Sequence, residues 1–239
     1  QVDGTLVLTC IEYAAYLSEM LRRLLGVEIA GHLKDINQKT ASLLPIFSPH
    51  LASLPGMTRR HDDWIIDNMI NPASVGRLFS FADCMGCLGD RFDMLSTSPR
   101  FITDWTWYKK AALDDHFFNR VAGECYWNHL HNFMDYRSAY PPRSESENRS
   151  LSSRCEEIHH QIREYEGTRD CSVRQQIVVN LHKLRQVIAT TLPTVAEALA
   201  EIEAWLSAPA IDQHAIANSE KFGPWFGRAA TYMSFIRRK

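Results

Sequence analysis

The feature that most constrains this chain is the placement of three short strand-like runs. An apolar, β-branched run in GTLVLT predicts a strand over residues 5–9, and RFDMLST predicts a second over 92–97. The C-terminal TYMSFIRRK alternates apolar and polar residues and predicts a third over 231–237. Residues 111–221, between the last two runs, have helical periodicity instead. The sequence therefore predicts an α/β fold of about three strands, with a large helical insertion before the last strand.

The helical block is defined by apolar stripes at three- and four-residue spacing. Such stripes run through LSSRCEEIHHQIREY, VRQQIVVNLHKLRQVI and TVAEALAEIEAWL. A further helix is expected to follow the first strand and to end at Gly26. The segment PIFSPHLASLPGM at 45–57 contains three prolines and is expected to be a loop. We expect three parts: residues 1–110, the helical insertion or cap 111–221, and 222–239 returning to the sheet.

Composition excludes several classes of protein. The formal net charge is −2, which gives no electrostatic footprint for nucleic acid. No run of 18 apolar residues is present, so no membrane span and no membrane partner are expected. The six cysteines are too thinly scattered for a disulfide scaffold, which predicts a reduced, cytoplasmic protein.

Several segments resemble one enzyme family. VDGTLVLTCIEYAAYLSEMLRRLL is similar to the fifth strand and following helix of class I S-adenosylmethionine-dependent methyltransferases. DRFDMLSTSPRFITDWTWYKK resembles the sixth strand and the segment after it, while RHDDWIIDNMINP and FGRAATYMSFIRR resemble other parts of the same subgroup. The resemblance covers about residues 1–140 and 222–239. It implies the C-terminal portion of a Rossmann-like sheet, whose last strand is inserted antiparallel between the fifth and sixth.

The resemblance also implies S-adenosylmethionine as cofactor and methyl transfer to an organic acceptor. In that family a glycine-rich turn after the first strand holds the cofactor, together with an acidic residue that ends the second strand. No G-x-G-x-G occurs in this sequence, and neither element has a counterpart here. We therefore expect a fragment or divergent member, and no cofactor-binding residue is assigned.

The candidate acceptor site follows the predicted second strand. Ligands of open α/β sheets gather beyond the carboxyl ends of parallel strands, and SPRFITDWTWYKK combines aromatic side chains with charged ones there. The predicted substrate-binding residues are Arg100, Asp104, Trp105, Trp107 and Tyr108, for a small-molecule or glycan-like acceptor. Asp104 and His61 are candidate catalytic bases. The alternative is that the tryptophans pack the helical block onto the sheet.

Pairs of cysteine, aspartate and histidine residues suggest metal or redox chemistry, but each has a simpler structural interpretation. Cys84-x-x-Cys87 ends a helix and precedes a strand, the opposite of a thioredoxin-like arrangement, and four zinc ligands are not grouped. Asp63 and Asp67 could share a cation, but a solvated helix start is the favoured interpretation of these two residues. His129 and His131, two residues apart, point to different helix faces. No metal site is predicted, which disfavours a metal hydrolase. The competing class is a non-catalytic helical interaction module that forms a homodimer through residues 151–206.

Overall fold

The structure is a computed structural model of the chain, and it describes residues 4–71, 77–101 and 117–237. The fold is mixed α/β, with a three-stranded sheet and many helices, as predicted. Its residues form two compact units. The sheet unit comprises Gln1–Tyr16, Gly76–Ser153 and Arg228–Lys239, and the helical unit comprises Leu17–Val75 and Arg154–Gly227. The predicted division at residues 110 and 221 stays a prediction, because the first boundary lies outside the described residues.

The sheet consists of β1 (Thr5–Ile11), β2 (Phe92–Ser98) and β3 (Ala230–Arg237). The strand order is β1-β3-β2, and β3 runs antiparallel to both neighbours. Val7 lies opposite Ser234 in the first pair, and Ser96 lies opposite the same residue in the second. The three strands are those that the sequence predicts. Because both outer strands oppose β3, β1 and β2 point in the same direction.

The two faces of the sheet differ in burial. Cys10, Met94, Met233 and Phe235 are buried on one face, which forms the core of the sheet unit. On the opposite face Val7 is 59% exposed and Tyr232 is 54% exposed. A sheet with antiparallel pairing can pack one face on the core and expose the other to solvent. The described residues of this chain therefore cover one face of the sheet and leave the other open.

The turn before β2 is built around one asparagine. The helices of the sheet unit are α4 (Phe81–Leu88) and α5 (Phe117–His129), together with the first part of α6 (Glu145–Thr168). From α5, the Asn119 side chain accepts from the Met94 N–H at 2.9 Å and donates to the carbonyls of Gly89 and Phe92 at 3.0 and 2.8 Å. These bonds satisfy backbone groups that the end of α4 and the start of β2 leave unpaired.

The helical unit contains most of α1 (Tyr13–Ala30), together with α2 (Ile36–Ala52), α3 (His61–Ile65), α7 (Cys171–Ile188), α8 (Pro193–Ser207) and α9 (Gln213–Ala217). Its core includes the predicted stripes. Ile177, Leu181, Leu184 and Ile188 of α7 are fully buried, as are Val195, Leu199 and Ile202 of α8. The hydrophobic periodicity thus identified the packed faces of these helices. Among the described residues, no helix is both long and apolar enough to cross a membrane.

The prediction of a loop at 45–57 is wrong over most of that range. The helix α2 runs to Ala52 and contains Pro45 and Pro49. Its N-terminus is capped by Asp35, whose carboxylate accepts from the Gln38 N–H at 2.9 Å. Leu43, Ile46, Phe47 and Leu51 are buried along one face. Burial of this face outweighs the backbone hydrogen bonds that the two prolines remove.

The prediction that the first helix ends at Gly26 is also wrong, because α1 continues to Ala30. A β-carbon placed on Gly26 would lie 2.9 Å from the terminal methyl carbon of Met69. Met69 belongs to a π-helical turn, Ile66–Ile70, that follows α3 directly. Gly26 is therefore a site of close packing within the helix rather than its C-terminal cap.

Candidate functional site

The strand register brings three charged residues to one edge of the sheet. Glu12 directly follows the carboxyl end of β1, and Arg100 follows the carboxyl end of β2 by two residues. Arg228 precedes the amino end of β3 by two residues. Ile11 is paired with Ala230 and Ser98 with Tyr232, so these three strand ends are neighbours. This is the edge at which open α/β sheets bind ligands.

Glu12 forms a buried polar cluster at this edge. Only 4% of the residue is exposed. One carboxylate oxygen accepts a hydrogen bond from the Tyr126 hydroxyl of α5, and the other accepts from the Ser152 hydroxyl at 2.5 Å. The Tyr126 ring stacks on Phe81 with centroids 4.2 Å apart. The carboxylate is thus oriented by two hydroxyl donors in a largely apolar surrounding.

Burial dominates the electrostatics of the cluster. It raises the pKa of Glu12, which the bonds from Ser152 and Tyr126 partly offset. Burial also raises the pKa of Tyr126 well above its usual range, and the adjacent Glu12 charge adds to the effect. A hydrogen bond to Cys84 raises the pKa of the buried Cys10 thiol. The cluster therefore holds its protons more tightly than the same groups in water.

A cavity of about 220 Å³ lies beside the cluster. Its lining includes Phe101 and Phe133, which are both buried and whose ring centroids are 5.7 Å apart. Both rings also contact Tyr126, with centroid distances of 5.6 and 5.9 Å. The same two residues therefore lie at the cavity and border the buried Glu12–Tyr126 pair.

The polar lining of the cavity carries positive charge. It includes Arg100, Arg228, His129 and Tyr140, and none of the described lining residues is acidic. Asp135, which lies between the lining residues Phe133 and Ser138 in sequence, has a side chain only 1% exposed and pairs with Arg137 at 2.7 Å. The cavity is therefore suited to a ligand that brings a negative charge.

The rim of the cavity is fixed by backbone hydrogen bonds. Asn132 donates to the Tyr140 carbonyl at 3.0 Å and accepts from the Tyr140 N–H at 2.7 Å, which closes the loop between them. Arg228 donates from its backbone N–H to the Phe133 carbonyl at 2.8 Å and from its guanidinium to the Tyr136 carbonyl at 2.9 Å. These hydrogen bonds hold the part of the rim between Asn132 and Tyr140, together with Arg228, in place.

The predicted site residues are only partly described. Arg100 lines the cavity, and its role in substrate binding stays a prediction. Asp104, Trp105, Trp107 and Tyr108 lie outside the described residues, so their roles stay predictions. His61 is the first residue of α3 in the helical unit, and its role as a base also stays a prediction.

Two charged residues at this end of the sheet were not among the predicted site residues. Glu12 was passed over as part of a helix, although an acidic residue directly after a predicted strand is a signal for a ligand-binding edge. Arg228 carries no such local signal, because only the pairing of β3 brings it beside the ends of the other strands.

The cysteine, aspartate and histidine pairs of the sequence analysis lie elsewhere than the cavity lining, or are bonded to other groups. Cys84 is buried in α4 while Cys87 is exposed, and the turn and strand after them are as predicted. Asp67 pairs with Arg59, while Asp63 lies 3.9 Å from Arg60. His131 lies between the Pro141 carbonyl and the Asn148 side-chain amide at 3.0 and 3.2 Å. In the part of the chain that the structure describes, no group of three metal-ligating side chains is present.

Comparisons with family models, with curated proteins and with solved structures found no match to this chain.

Proposed function

We propose that this chain is the acceptor-binding, C-terminal part of an S-adenosylmethionine-dependent methyltransferase. The observation that carries the proposal is the sheet topology. β3 lies between β1 and β2 and runs antiparallel to both, and the helical block lies between β2 and β3 in sequence. This is the order implied by the resemblance of the three strands to the fifth, seventh and sixth strands of that family.

The free edge and open face of the sheet support the proposal. β1 is an edge strand of the three that the structure describes, and a free edge invites pairing with another strand. On the open face, Val7, Tyr232 and Ile236 leave apolar surface exposed. Further strands beside β1 and helices on this face would cover both, as in a doubly wound sheet.

The residues described here do not fit the cofactor itself. The junction between β1 and α1 is the single residue Glu12, which is buried and bonded to Tyr126 and Ser152. By the resemblance this junction follows the family's fifth strand, whereas the glycine-rich turn follows its first strand, and the sequence contains no G-x-G-x-G. We therefore assign no cofactor-binding residue in this chain, and cofactor binding would fall to strands that these residues do not include.

The residues at the carboxyl ends of β1 and β2 would bind and orient the acceptor. Much of the acceleration that such enzymes achieve comes from holding two reactants in a defined geometry. Arg100 and Arg228, which both line the cavity, would bind the acceptor. Asp104 and His61 remain the candidate bases. All six cysteines are free, which is compatible with the reducing cytoplasm that we propose as the location.

Calorimetric titration with S-adenosylmethionine tests the proposal. The full product of the reading frame that encodes these residues should bind the cofactor with a micromolar dissociation constant. The 239 residues alone should bind none under the same conditions. Absence of binding by the full product, or micromolar binding by the 239 residues alone, would contradict the proposal as stated.

A second candidate is a helical module that forms a homodimer. A groove of about 490 Å³ lies between α7 and α8, lined in part by Val178, Val179, Ala200 and Ala204. Val179 is 38% exposed, and Val187 on the same helix is 44% exposed. The groove offers apolar surface on the helices through which the sequence predicts self-association.

Light scattering at several concentrations distinguishes this candidate. A stable dimer that becomes a monomer in Val179→Glu, but not in Gln175→Glu at an exposed position of the same helix, would favour the module. A monomer at all concentrations would exclude it.

A further inference from the structure

We infer that a second cavity, in the helical unit, is a binding site for the phosphate group of a small molecule. The cavity has a volume of about 180 Å³ and is lined by residues of α1, α2, the π-helical turn after α3 and the end of α6. Its lining residues that are at least partly exposed are Gly31, Lys39, Ile70, Glu166 and Arg169. The inference rests on this unit alone and does not depend on the proposed function.

Arg169, directly after α6, has a backbone conformation that residues other than glycine rarely adopt. Its φ is 57°, in the left-handed region. Its guanidinium lies against the end of α1, where Nη1 donates to the Val27 carbonyl at 2.7 Å. A β-carbon on Gly31 would collide with Nη2, so glycine at that position makes room for the guanidinium. Strained backbone is maintained where the surrounding structure holds a residue in place. The Arg169 guanidinium is thus fixed at the cavity, and Nη1 alone has an acceptor among the described residues.

Lys39 on α2 supplies a second cation to the cavity. Its side chain is half-buried and forms no hydrogen bond or ion pair with a described residue. An arginine guanidinium binds phosphate through paired, charge-assisted hydrogen bonds, and a lysine ammonium binds it as a point charge. Lys39 and Arg169 together therefore offer the two kinds of donor that phosphate groups prefer.

The carboxylate of Glu166, which also lines the cavity, already has two cationic partners. Both of its oxygens accept from the Arg23 guanidinium, and one also accepts from Arg163 at 2.7 Å. The described lining residues and these ion-pair partners thus carry four positive charges, on Arg23, Lys39, Arg163 and Arg169, against the single negative charge of Glu166. The cavity is therefore suited to an anion with more than one charge.

The charge balance is complete for the helical unit. Of this unit, only residues 72–75 lie outside the described ranges, and their sequence, PASV, contains no acidic residue. Asp35 and Asp170 are near the lining residues in sequence, but they cap the N-termini of α2 and α7. Glu28 pairs with Arg174 at 3.0 Å. These carboxylates have partners of their own and do not neutralise Lys39.

The size of the cavity and the burial of its apolar residues limit the ligand. A volume of about 180 Å³ is below the range of pockets that hold drug-sized molecules. Val27, Ala30, Leu43 and Met69 line the cavity but are buried, so they offer little apolar surface to a ligand. A phosphate group, either free or on a short carbon unit, fits both limits.

Protein NMR titration tests the inference on the full product of the reading frame that encodes these residues. Inorganic phosphate and glycerol phosphate should shift the amide resonances of Gly31 and Ile70, which line the cavity, whereas glycerol should not. A constant ionic strength separates binding from general screening of charges. Tighter binding of glycerol phosphate would identify a phosphomonoester as the ligand, and equal or tighter binding of inorganic phosphate would identify the free ion.

Lys39→Gln should weaken phosphate binding about tenfold, because it removes a cation of the cavity without breaking a described bond. Lys34→Gln is the matched control, since it removes the same charge at an exposed position between α1 and α2, and it should bind as the wild type does. Arg169→Asn should also weaken binding about tenfold, because asparagine tolerates the left-handed backbone but lacks the guanidinium.

Absence of shifts with both phosphates, equal shifts with glycerol, or equal effects of Lys39→Gln and Lys34→Gln would each overturn the inference. Unchanged phosphate binding by Arg169→Asn would do the same. The outcome is separate from that of the cofactor titration, because this cavity lies in the helical unit and the candidate acceptor site lies at the sheet.

Discussion

The hydroxyl of Tyr126 donates a hydrogen bond to the buried carboxylate of Glu12, and so links α5 to the carboxyl end of β1. Tyr126 is fully buried and Glu12 is 4% exposed, so water does not replace this bond if it is lost. The pair borders the rings that line the candidate acceptor cavity. Loss of the hydrogen bond between Tyr126 and Glu12 should therefore lower the stability of the fold. It should affect the cavity only indirectly, through Phe101 and Phe133.

Replacement of Tyr126 by phenylalanine should lower the free energy of unfolding by about 1–3 kcal/mol, because one buried carboxylate oxygen loses its donor. The stacking of the ring on Phe81 is retained in this variant. Urea denaturation at neutral pH measures the change. Tyr232→Phe, at an exposed position of β3, should change the free energy by less than about 0.5 kcal/mol. Equal effects of the two substitutions would show that the bond contributes nothing.

Arg22 in the helical unit is fully buried and donates to the carbonyls of Phe222 and Gly223 at 3.1 and 2.9 Å. Its guanidinium also lies over the Phe226 ring, 3.7 Å from the centroid. Arg22→Met should lower the free energy of unfolding by about 3–5 kcal/mol, because these carbonyls lose a buried donor and the buried Glu19 loses a nearby positive charge.

Thermal and urea unfolding of the Arg22 variant measure this loss. Arg60→Met is the control, since the Arg60 side chain is 76% exposed and its ion pairs with Asp62 and Asp63 are at the surface. The effect of Arg60→Met should be much smaller than that of Arg22→Met, because exposed ion pairs contribute little to stability. A loss below 1 kcal/mol in Arg22→Met would mean that methionine packing replaces the guanidinium contacts.

His50 should make the chain less stable in acid. Burial lowers the pKa of His50 from 6.5 to about 4, with a further contribution from the Arg22 charge. Above pH 6.5 the ring is neutral in the folded and unfolded chains alike. Below it the unfolded chain takes up a proton that the folded chain does not, so stability is lost progressively as pH falls from 6.5 to 4. The full contribution is about 3 kcal/mol.

Unfolding free energies of His50→Gln and wild type, measured at several pH values, test this sign. The difference between them should shrink as the pH falls through this window, because the variant lacks the titrating group. His32→Gln, at an exposed position, should follow the wild-type curve. A His50 variant with an unchanged pH dependence would show that the ring is protonated as readily in the folded chain.

Asn119→Ala should lower the free energy of unfolding by about 2–3 kcal/mol, because three backbone groups around the start of β2 lose their partner. Asn128→Ala on the same helix is the matched control, since it brings the same gain in helix propensity without those bonds. Hydrogen exchange of the Met94 N–H should also accelerate in the Asn119 variant. Unchanged exchange there would indicate that water takes over the role of the side chain.

Local periodicity explains which parts of the fold were predictable. The strands around Val7, Met94 and Met233 and the stripes of α7 and α8 were found from spacing alone, because each is a pattern within one element. The helix α2 was missed because its two prolines argue locally against a helix, while the burial of Phe47 and Leu51, which favours it, depends on residues elsewhere in the chain.

The residues of the candidate site also differ in whether local sequence could predict them. Arg100 could be proposed from the sequence, because it follows a predicted strand within a run of aromatic and charged residues. Glu12 and Arg228 reach the same edge only through the register of β3 with its two neighbours. That pairing joins residues more than two hundred positions apart, as Ile11 with Ala230 shows.

The sequence by itself thus determined the identity of the strands, the packed faces of most helices and the lack of any G-x-G-x-G turn. The resemblance to a known family supplied the expected strand order. Only the tertiary structure decided which strand ends meet, which face of the sheet is buried and that two arginines share one cavity with two aromatic rings. The physical reason is that helical and strand periodicity are local, whereas sheet register and cavity lining arise from hydrogen bonding and burial between distant residues.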